Sequence, residues 1–412
     1  VCGKGTLGTR IKYPAEAITL TRRRHGAWRT FDVTDGLISG VKCLLEDGQG
    51  YIWLGTGTGL CRFDGVDFVL YTTNEGLPYN EIWVLFEDSM GRLWVGTHGA
   101  GVAVRDGARF ISFSCETHGL SDDNIRTIHE DGEGRIWLGT ERGLSWVEAD
   151  RDLSSPFQFH TALTDQGDAP PVLAIQSEAG GRLWLGTRGF GLWRYDPAKS
   201  ETVERSDAAG STVYALLLDR GGTLWLGADG VVAGQYHDGE VTPVDLPVDG
   251  TCKPVQCIYQ DRQDAVWVGT WAAGAVRFDG DDVSTYTPAE GMLNGRISGM
   301  VQDHTGCFWF GHTMAGLTRF HPYTVTTFST LPLTESLIRD NRGRVWFTDY
   351  TAICCVEDGK VRRRDFGTHL YCVYQDSRGA LWVGTRGQGV YHFADPDDFW
   401  RTDGTRFTSE HG

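Results

Sequence analysis

The chain has 412 residues, 40% of them hydrophobic, enough for two ordinary domains or one large all-β ring around a buried core. Its formal net charge of −16 excludes the basic face that sequence-independent binding to DNA or RNA requires. The ten cysteines include no C-x-x-C pair and read as small buried thiols rather than a metal site or a disulfide framework. No apolar run is long enough to span a bilayer, and no zincin motif or nucleophile elbow occurs. Fifty-five glycines and fifteen tryptophans point to many tight turns and to a repeated anchor.

Taken in chain order, residues 1–28 fit no repeating unit, and the run Arg22, Arg23, Arg24 reads as a solvated or disordered tail. The chain begins at Val1 without an apolar signal segment, which leaves room for a start further upstream. A short strand is expected at residues 31–34. Next comes DGQGYIWLGTGTGLCRFDG, residues 47–65, whose GTGTG run resembles a phosphate loop. That reading fails on repetition. The pattern Asp-x-x-Gly-x-apolar-Trp recurs with Trp53, Trp94, Trp137, Trp184, Trp225, Trp267, Trp309, Trp346 and Trp382, nine copies 36 to 47 residues apart. Nine phosphate sites in one chain are not credible; the glycines belong to a structural unit.

A period near 40 with several short strands reads as an all-β β-propeller of four-stranded antiparallel blades. In the first unit strand A is VKCLLE, strand B YIWLG, strand C LCRF and strand D FVLYT. The A strands are apolar on both faces, as blades sandwiched between neighbours require. Asp47 is placed to bond the backbone two residues on, and Gly50 to take a positive φ. The sixth unit puts Asp264 at that glycine position, which Asp tolerates, and the fourth has Glu178 in place of Asp, which should cap its turn less well. Asp-Gly hairpins between strands C and D are expected at Asp64-Gly65, Asp106-Gly107, Asp238-Gly239, Asp279-Gly280 and Asp358-Gly359.

The unit GLPYNEIWVLFEDSMGRLWVGTHGAGVAVRDG, residues 76–107, resembles the two-component regulator propeller repeat, and the resemblance runs over residues 30–412. The family implies an extracytoplasmic, periplasmic sensor propeller, usually followed by an immunoglobulin-like domain, a membrane span and a histidine kinase or diguanylate cyclase. None of these output modules is visible, so the membrane connection would lie in a missing C-terminal segment. A dimeric full-length protein is also expected. Family members form seven-bladed rings, often in tandem. The nine units are therefore read as a tail (1–28), a seven-bladed ring (29–322) and two further blades that start a second propeller (323–412), with a single nine-bladed ring as the alternative. The strand at 31–34 would complete the outer edge of blade seven. The last residues, TRFTSEHG, align with segments that lead into another A strand, which reads as a fragment of a longer protein. The eighth unit departs most, with Thr348 and Asp349 replacing Gly-Thr and Ala352 replacing the next Gly, and an irregular blade is expected there.

The repeated turns occupy one face of such a ring. Variation collects on the other, where the D–A and B–C loops meet. One position just inside strand A holds Lys42, Trp83, Arg126, Leu173, Tyr214, Gln256, Ser298, Glu335 and Tyr371. The B–C loops add His98, Glu141, Arg188, Phe190, Asp229, Trp271, Tyr350 and Arg386. Aromatic plates among Arg, Gln and Glu suit a small polar ligand such as an oligosaccharide, through C–H stacking and forked hydrogen bonds. The ligand-binding set is Lys42, Trp83, Arg126, Tyr214, Gln256, His98, Glu141, Arg188 and Trp271; Glu335, Tyr350, Tyr371 and Arg386 leave it if blades eight and nine belong to another ring. No cofactor, metal or catalytic residue is assigned. A protein-docking scaffold is the alternative, and a polysaccharide lyase or hydrolase built on His98 near Glu141 is a weaker one.

Overall fold

The computed structural model describes residues 20–37, 39–107, 109–148, 158–163, 169–247, 254–328, 335–357 and 360–408. They form nine antiparallel sheets of four strands each, an all-β propeller architecture. The first sheet pairs Val41–Glu46, Ile52–Thr56, Leu60–Phe63 and Phe68–Tyr71 in sequence order, and the later sheets repeat this A–B–C–D meander. The chain divides into two compact units, the larger being Gly26–Tyr323 with seven of the sheets. Within it each A strand packs on the next, and the seventh, Ile297–Gln302, packs back on the first. At that seam Ser298 Oγ donates to the carbonyl of Val41 at 2.6 Å.

The seventh sheet takes its fourth strand from the N-terminal side, Leu20–Phe31, which pairs with the strand Gly316–Phe328. The closing strand therefore lies ahead of the expected 31–34 segment. Asp32 begins a single 3-10 turn instead, its Oδ1 accepting from Thr34 N at 2.8 Å. Residues 20–28 belong to this strand; residues 1–19 lie outside the described residues, as do Asp358 and Gly359.

The Asp-x-x-Gly-x-apolar-Trp motif works as one device. Asp131 Oδ1 accepts from Glu133 N (2.9 Å) and Arg135 N (3.0 Å), which closes the A–B turn. Its Oδ2 accepts from the Trp137 indole N–H at 2.7 Å and from Arg135 Nε at 2.7 Å. The same carboxylate–indole bond forms in eight sheets, between 2.6 and 2.9 Å. Each indole has its one polar atom satisfied, and all but the half-buried Trp382 are buried, as apolar packing of a large ring demands. The fourth sheet is the exception. Its longer Glu178 turns away to Arg194, whose Nη2 donates at 2.6 Å, while the turn survives through Glu178 N to Arg182 O at 2.9 Å. Asp264 sits at φ +66°, the left-handed geometry read for it from the sequence.

Strand B carries Gly-Thr for a packing reason. A Cβ on Gly96 would lie 2.4 Å from Val84 Cγ1 and 2.8 Å from Ile125 Cγ2 of the next sheet, so only glycine lets neighbouring sheets approach. The following Thr97 turns its hydroxyl onto the Gly101 carbonyl at 2.8 Å and tightens the B–C loop. A second latch joins sheets at the turn face. The last residue of one A strand accepts from the turn N–H of the preceding sheet: Glu87 from Gly48 (2.9 Å), Glu130 from Ser89 (2.6 Å), Gln260 from Arg220 (2.9 Å) and Gln302 from Arg262 (3.0 Å). Glu46 closes the cycle, accepting from His304 N at 2.8 Å.

The smaller unit holds the eighth and ninth sheets, packed around Trp346, Leu370, Leu381 and Phe399. The eighth keeps four strands, but its A strand is only Leu337–Arg339. Thr348, in the glycine position, accepts from Glu335 N and Ser336 N at 3.0 Å each, and so takes backbone donors away from the ladder. The cysteines are free among the described residues. Cys61, Cys307, Cys354 and Cys355 are buried, but Cys115 and Cys372 are exposed, so the all-buried expectation holds only in part. Burial pushes the Cys43 and Cys257 thiols up to about 12, which leaves them inert at neutral pH.

Candidate functional site

One backbone contact builds the variable rim. The first N–H after strand B donates to the carbonyl two residues before the rim position: His98 to Glu81 (3.0 Å), Glu141 to Asn124 (3.3 Å), Arg188 to Pro171 (3.0 Å), Asp229 to Thr212 (3.0 Å) and Trp271 to Pro254 (3.2 Å). The D–A and B–C loops of the second to sixth sheets are thus tied together, and the rim side chains gather on one edge.

Six of the nine residues expected to bind ligand join a single network on the first four sheets. Lys42 donates to Glu81 Oε1, which also accepts from the Trp83 indole at 3.1 Å. Glu81 Oε2 meets His98 Nδ1 at 3.2 Å. His98 stacks on Trp83 with ring centroids 3.9 Å apart, and the Arg126 guanidinium carbon lies 3.5 Å from the Trp83 ring. Two groups this close cannot share one face of an indole, so Trp83 is sandwiched between them. Arg126 pairs with Glu141, whose Oε2 accepts from Arg188 Nη1 at 3.0 Å. Bonding from Lys42, first of all, holds the Glu81 carboxyl below its ordinary range. Burial lowers the Arg126 pKa against the pull of Glu141.

This arrangement corrects two expectations. Trp83 offers no open face for stacking; it spaces and orients His98 and Arg126. His98 pairs with Glu81, not Glu141, which serves the two arginines. Glu81 itself was missed by sequence reading. It lies two residues before the scored rim position, and only the folded register of that loop sets residue 81 beside residue 98.

The other three expected residues stand apart. Tyr214 and Gln256, half-buried on the fifth and sixth sheets, make no side-chain hydrogen bond or ring contact with this network among the described residues. Trp271 is 41% exposed and lines an open cavity of about 620 Å³ with Asn294, Gly295, Arg296 and Met314. Glu335, Tyr350, Tyr371 and Arg386 lie in the smaller unit. There His369 Nε2 meets Glu335 Oε1 at 2.9 Å, and its ring contacts those of Tyr350 (4.6 Å) and Tyr371 (4.9 Å). No group of three or more metal-ligating side chains occurs among the described residues, and no helix among them is long and apolar enough to cross a membrane.

The profile of the family described as "Two component regulator propeller" matches residues 36–58, 76–99, 119–142, 249–272 and 366–387. No curated protein sequence matches the chain. Among solved structures, it is similar to the extracellular domain of BT3049 from B. thetaiotaomicron, described as a hybrid two-component system. That match has 19% identity and a TM-score of 0.63, over 89% of this chain and 53% of that one. The extracellular domain of BT4673 from the same organism, described as a one-component system, matches with 19% identity and a TM-score of 0.57, over 89% and 52%. Virginiamycin B lyase from Staphylococcus aureus matches with 14% identity and a TM-score of 0.58, over 72% of this chain and 99% of that one. The chain spans about half the length of the two extracellular domains. Identities this low establish a shared fold and no more.

Proposed function

We propose, since this chain belongs to the two-component regulator propeller family, that it is the ligand-sensing region of a membrane-bound signalling protein and works outside the cytoplasm. The ligand is a small polar molecule such as an oligosaccharide, bound at the rim of the first four sheets. An output module elsewhere in the protein carries the response. The larger unit acts as one seven-bladed ring, and the eighth and ninth sheets begin a second.

One observation carries the reading. Side chains from successive sheets, each different, are bonded into one half-exposed network of Lys42, Glu81, His98, Arg126, Glu141 and Arg188. Pre-oriented charged donors and acceptors at the mouth of a rigid scaffold suit a hydroxyl-rich ligand, because little ordering remains to oppose binding. A propeller lyase of similar fold raises the alternative of catalysis, but both members of the His98–Glu81 pair are held by Lys42 and Trp83. That supports a binding role for the pair.

Calorimetric titration of the chain with a glycan panel tests the proposal. At least one glycan should bind saturably without turnover, and Trp83→Ala, which releases His98 and Arg126, should weaken it at least tenfold. Arg126→Ala should do the same. A panel without a binder, or two variants that bind like the native chain, would remove this site.

A further inference from the structure

At the rim of the sixth and seventh sheets, the latter next to the first, the residues build a different kind of site. Trp271 heads the B–C loop of the sixth sheet, and Asn294, Gly295 and Arg296 form the D–A loop before the seventh. The two loops are in backbone contact: Gly274 N donates to the Gly295 carbonyl at 3.0 Å, and a Cβ on Gly295 would lie 2.3 Å from the Ala272 carbonyl oxygen. His312 fixes the second loop from below. It is fully buried, and its Nδ1 faces Asn294 Oδ1 at 3.1 Å and the Arg296 carbonyl at 3.2 Å. The walls are therefore preformed.

Three side chains on those walls, Trp271, Arg296 and Met314, are open to solvent. Trp271 is 41% exposed and Met314 75% exposed. The Arg296 guanidinium carbon lies 5.4 Å from the Trp271 ring, within cation–π range. Lys42, Arg126 and Arg188 are each paired with a carboxylate. Arg296 has no carboxylate within ion-pair distance among the described residues, and its one side-chain hydrogen bond there goes to the weak acceptor Met314 Sδ, at 3.2 Å. A guanidinium already oriented by an indole, with its fork unpaired, is built to take a planar acid group bidentately. The indole face and the thioether supply the apolar bed for an attached ring. The cavity of about 620 Å³ is of ligand size.

We infer that Trp271, Arg296 and Met314 form a separate binding site for a ring that bears a carboxylate, the ring lying on Trp271 and the carboxylate displacing Met314 Sδ from Arg296. An acidic sugar and an aromatic acid share this chemistry. The site does not depend on whether the first four sheets bind a glycan.

Saturation-transfer NMR and calorimetry on the whole chain, with two matched pairs, test it: galacturonate against galactose, and 4-hydroxybenzoate against 4-hydroxybenzyl alcohol. At least one acid should bind at least tenfold more tightly than its neutral counterpart; which pair responds separates sugar from aromatic acid. Arg296→Gln should abolish the preference, Arg296→Lys should retain part of it, and Trp271→Ala should weaken the favoured acid at least tenfold. Trp83→Ala should leave it unchanged, which separates this site from the network. Equal binding of acid and neutral forms, binding of neither acid, or an Arg296→Gln variant with native preference would overturn the inference. Should the glutamine variant lose stability in a thermal melt, the lysine variant decides: native preference there sinks the bidentate role.

Discussion

At the turn end of the sheets, eight aspartates hold eight tryptophans in one repeated geometry. At the rim end of the seven-sheet unit, no two sheets present the same side chain: Lys42, Trp83, Arg126, Leu173, Tyr214, Gln256 and Ser298 differ throughout. The turn end is closed, with the side chains of Asp88, Asp131 and Asp261 fully buried. The rim end is half open. A structural role fixes residue type because a buried carboxylate and a buried indole N–H each need the other. The recognition role proposed for the rim would free residue type, because water satisfies whatever a ligand does not. The two ends should therefore respond oppositely to mutation.

The largest effect is expected at the turn end. Asp131→Ala strands the Trp137 indole N–H and two backbone N–H groups, and among the described residues leaves the Arg135 guanidinium only its ion pair with Glu133. Removing one partner of a buried charged cluster costs on the order of 3 to 5 kcal/mol. The midpoint of urea unfolding should fall accordingly. Glu178→Ala gives the contrast, since Trp184 does not use that carboxylate; a loss as large there would show that the carboxylate–indole bond is not what matters.

Next in size is an acid effect led by two histidines. Burial holds His129 and His312 at about 4, well below the ordinary 6.5. In both, Nε2 is used as an acceptor: from Ser177 N at 3.2 Å in His129, and from the Thr318 hydroxyl at 2.8 Å in His312. Between pH 6.5 and 4 the unfolded chain binds protons that the folded chain refuses, so stability falls as pH falls through this window. The loss is up to about 3 kcal/mol for each histidine. The carboxylates Asp131 and Asp303 lie below the usual range, because their hydrogen bonds outweigh burial, and lose their contribution only under more acid conditions. His129→Gln keeps an acceptor and removes the titration. Unfolding midpoints at pH 7 and pH 4.5 should differ less in that variant; an unchanged difference would reassign the acid sensitivity.

What could be read from the sequence follows the same division. The Asp, Gly and Trp positions were legible because a repeat displays them many times. The carboxylate–indole bond was not, since a spacing of six says nothing about a hairpin folding the two side chains together. The closing strand Leu20–Phe31 was hidden because it is an outer strand with one neighbour, and Arg22, Arg23 and Arg24 read as tail. At the rim, six residues were found by asking where copies differ. Glu81 and Arg296 escaped because both sit two residues ahead of the scored position, on loops whose register against the neighbouring B–C loop exists only after folding.

The smallest effect on stability should therefore come from the rim residue with the most partners. Glu81 accepts from Lys42 and Trp83 and meets His98, but it is 29% exposed in an open edge. Half-exposed ion pairs contribute about 1 kcal/mol or less, since water replaces the lost partner. Glu81→Gln keeps an acceptor for the indole, so its unfolding midpoint should shift by less than a fifth of the Asp131→Ala shift. Ligand affinity at the network should fall clearly in the same variant, as Lys42 and His98 lose their common anchor. A Glu81→Gln chain that unfolds as readily as Asp131→Ala would mean that the rim network braces the ring. The distinction between an end that builds and an end that recognises would then fail at the place where it is drawn most sharply.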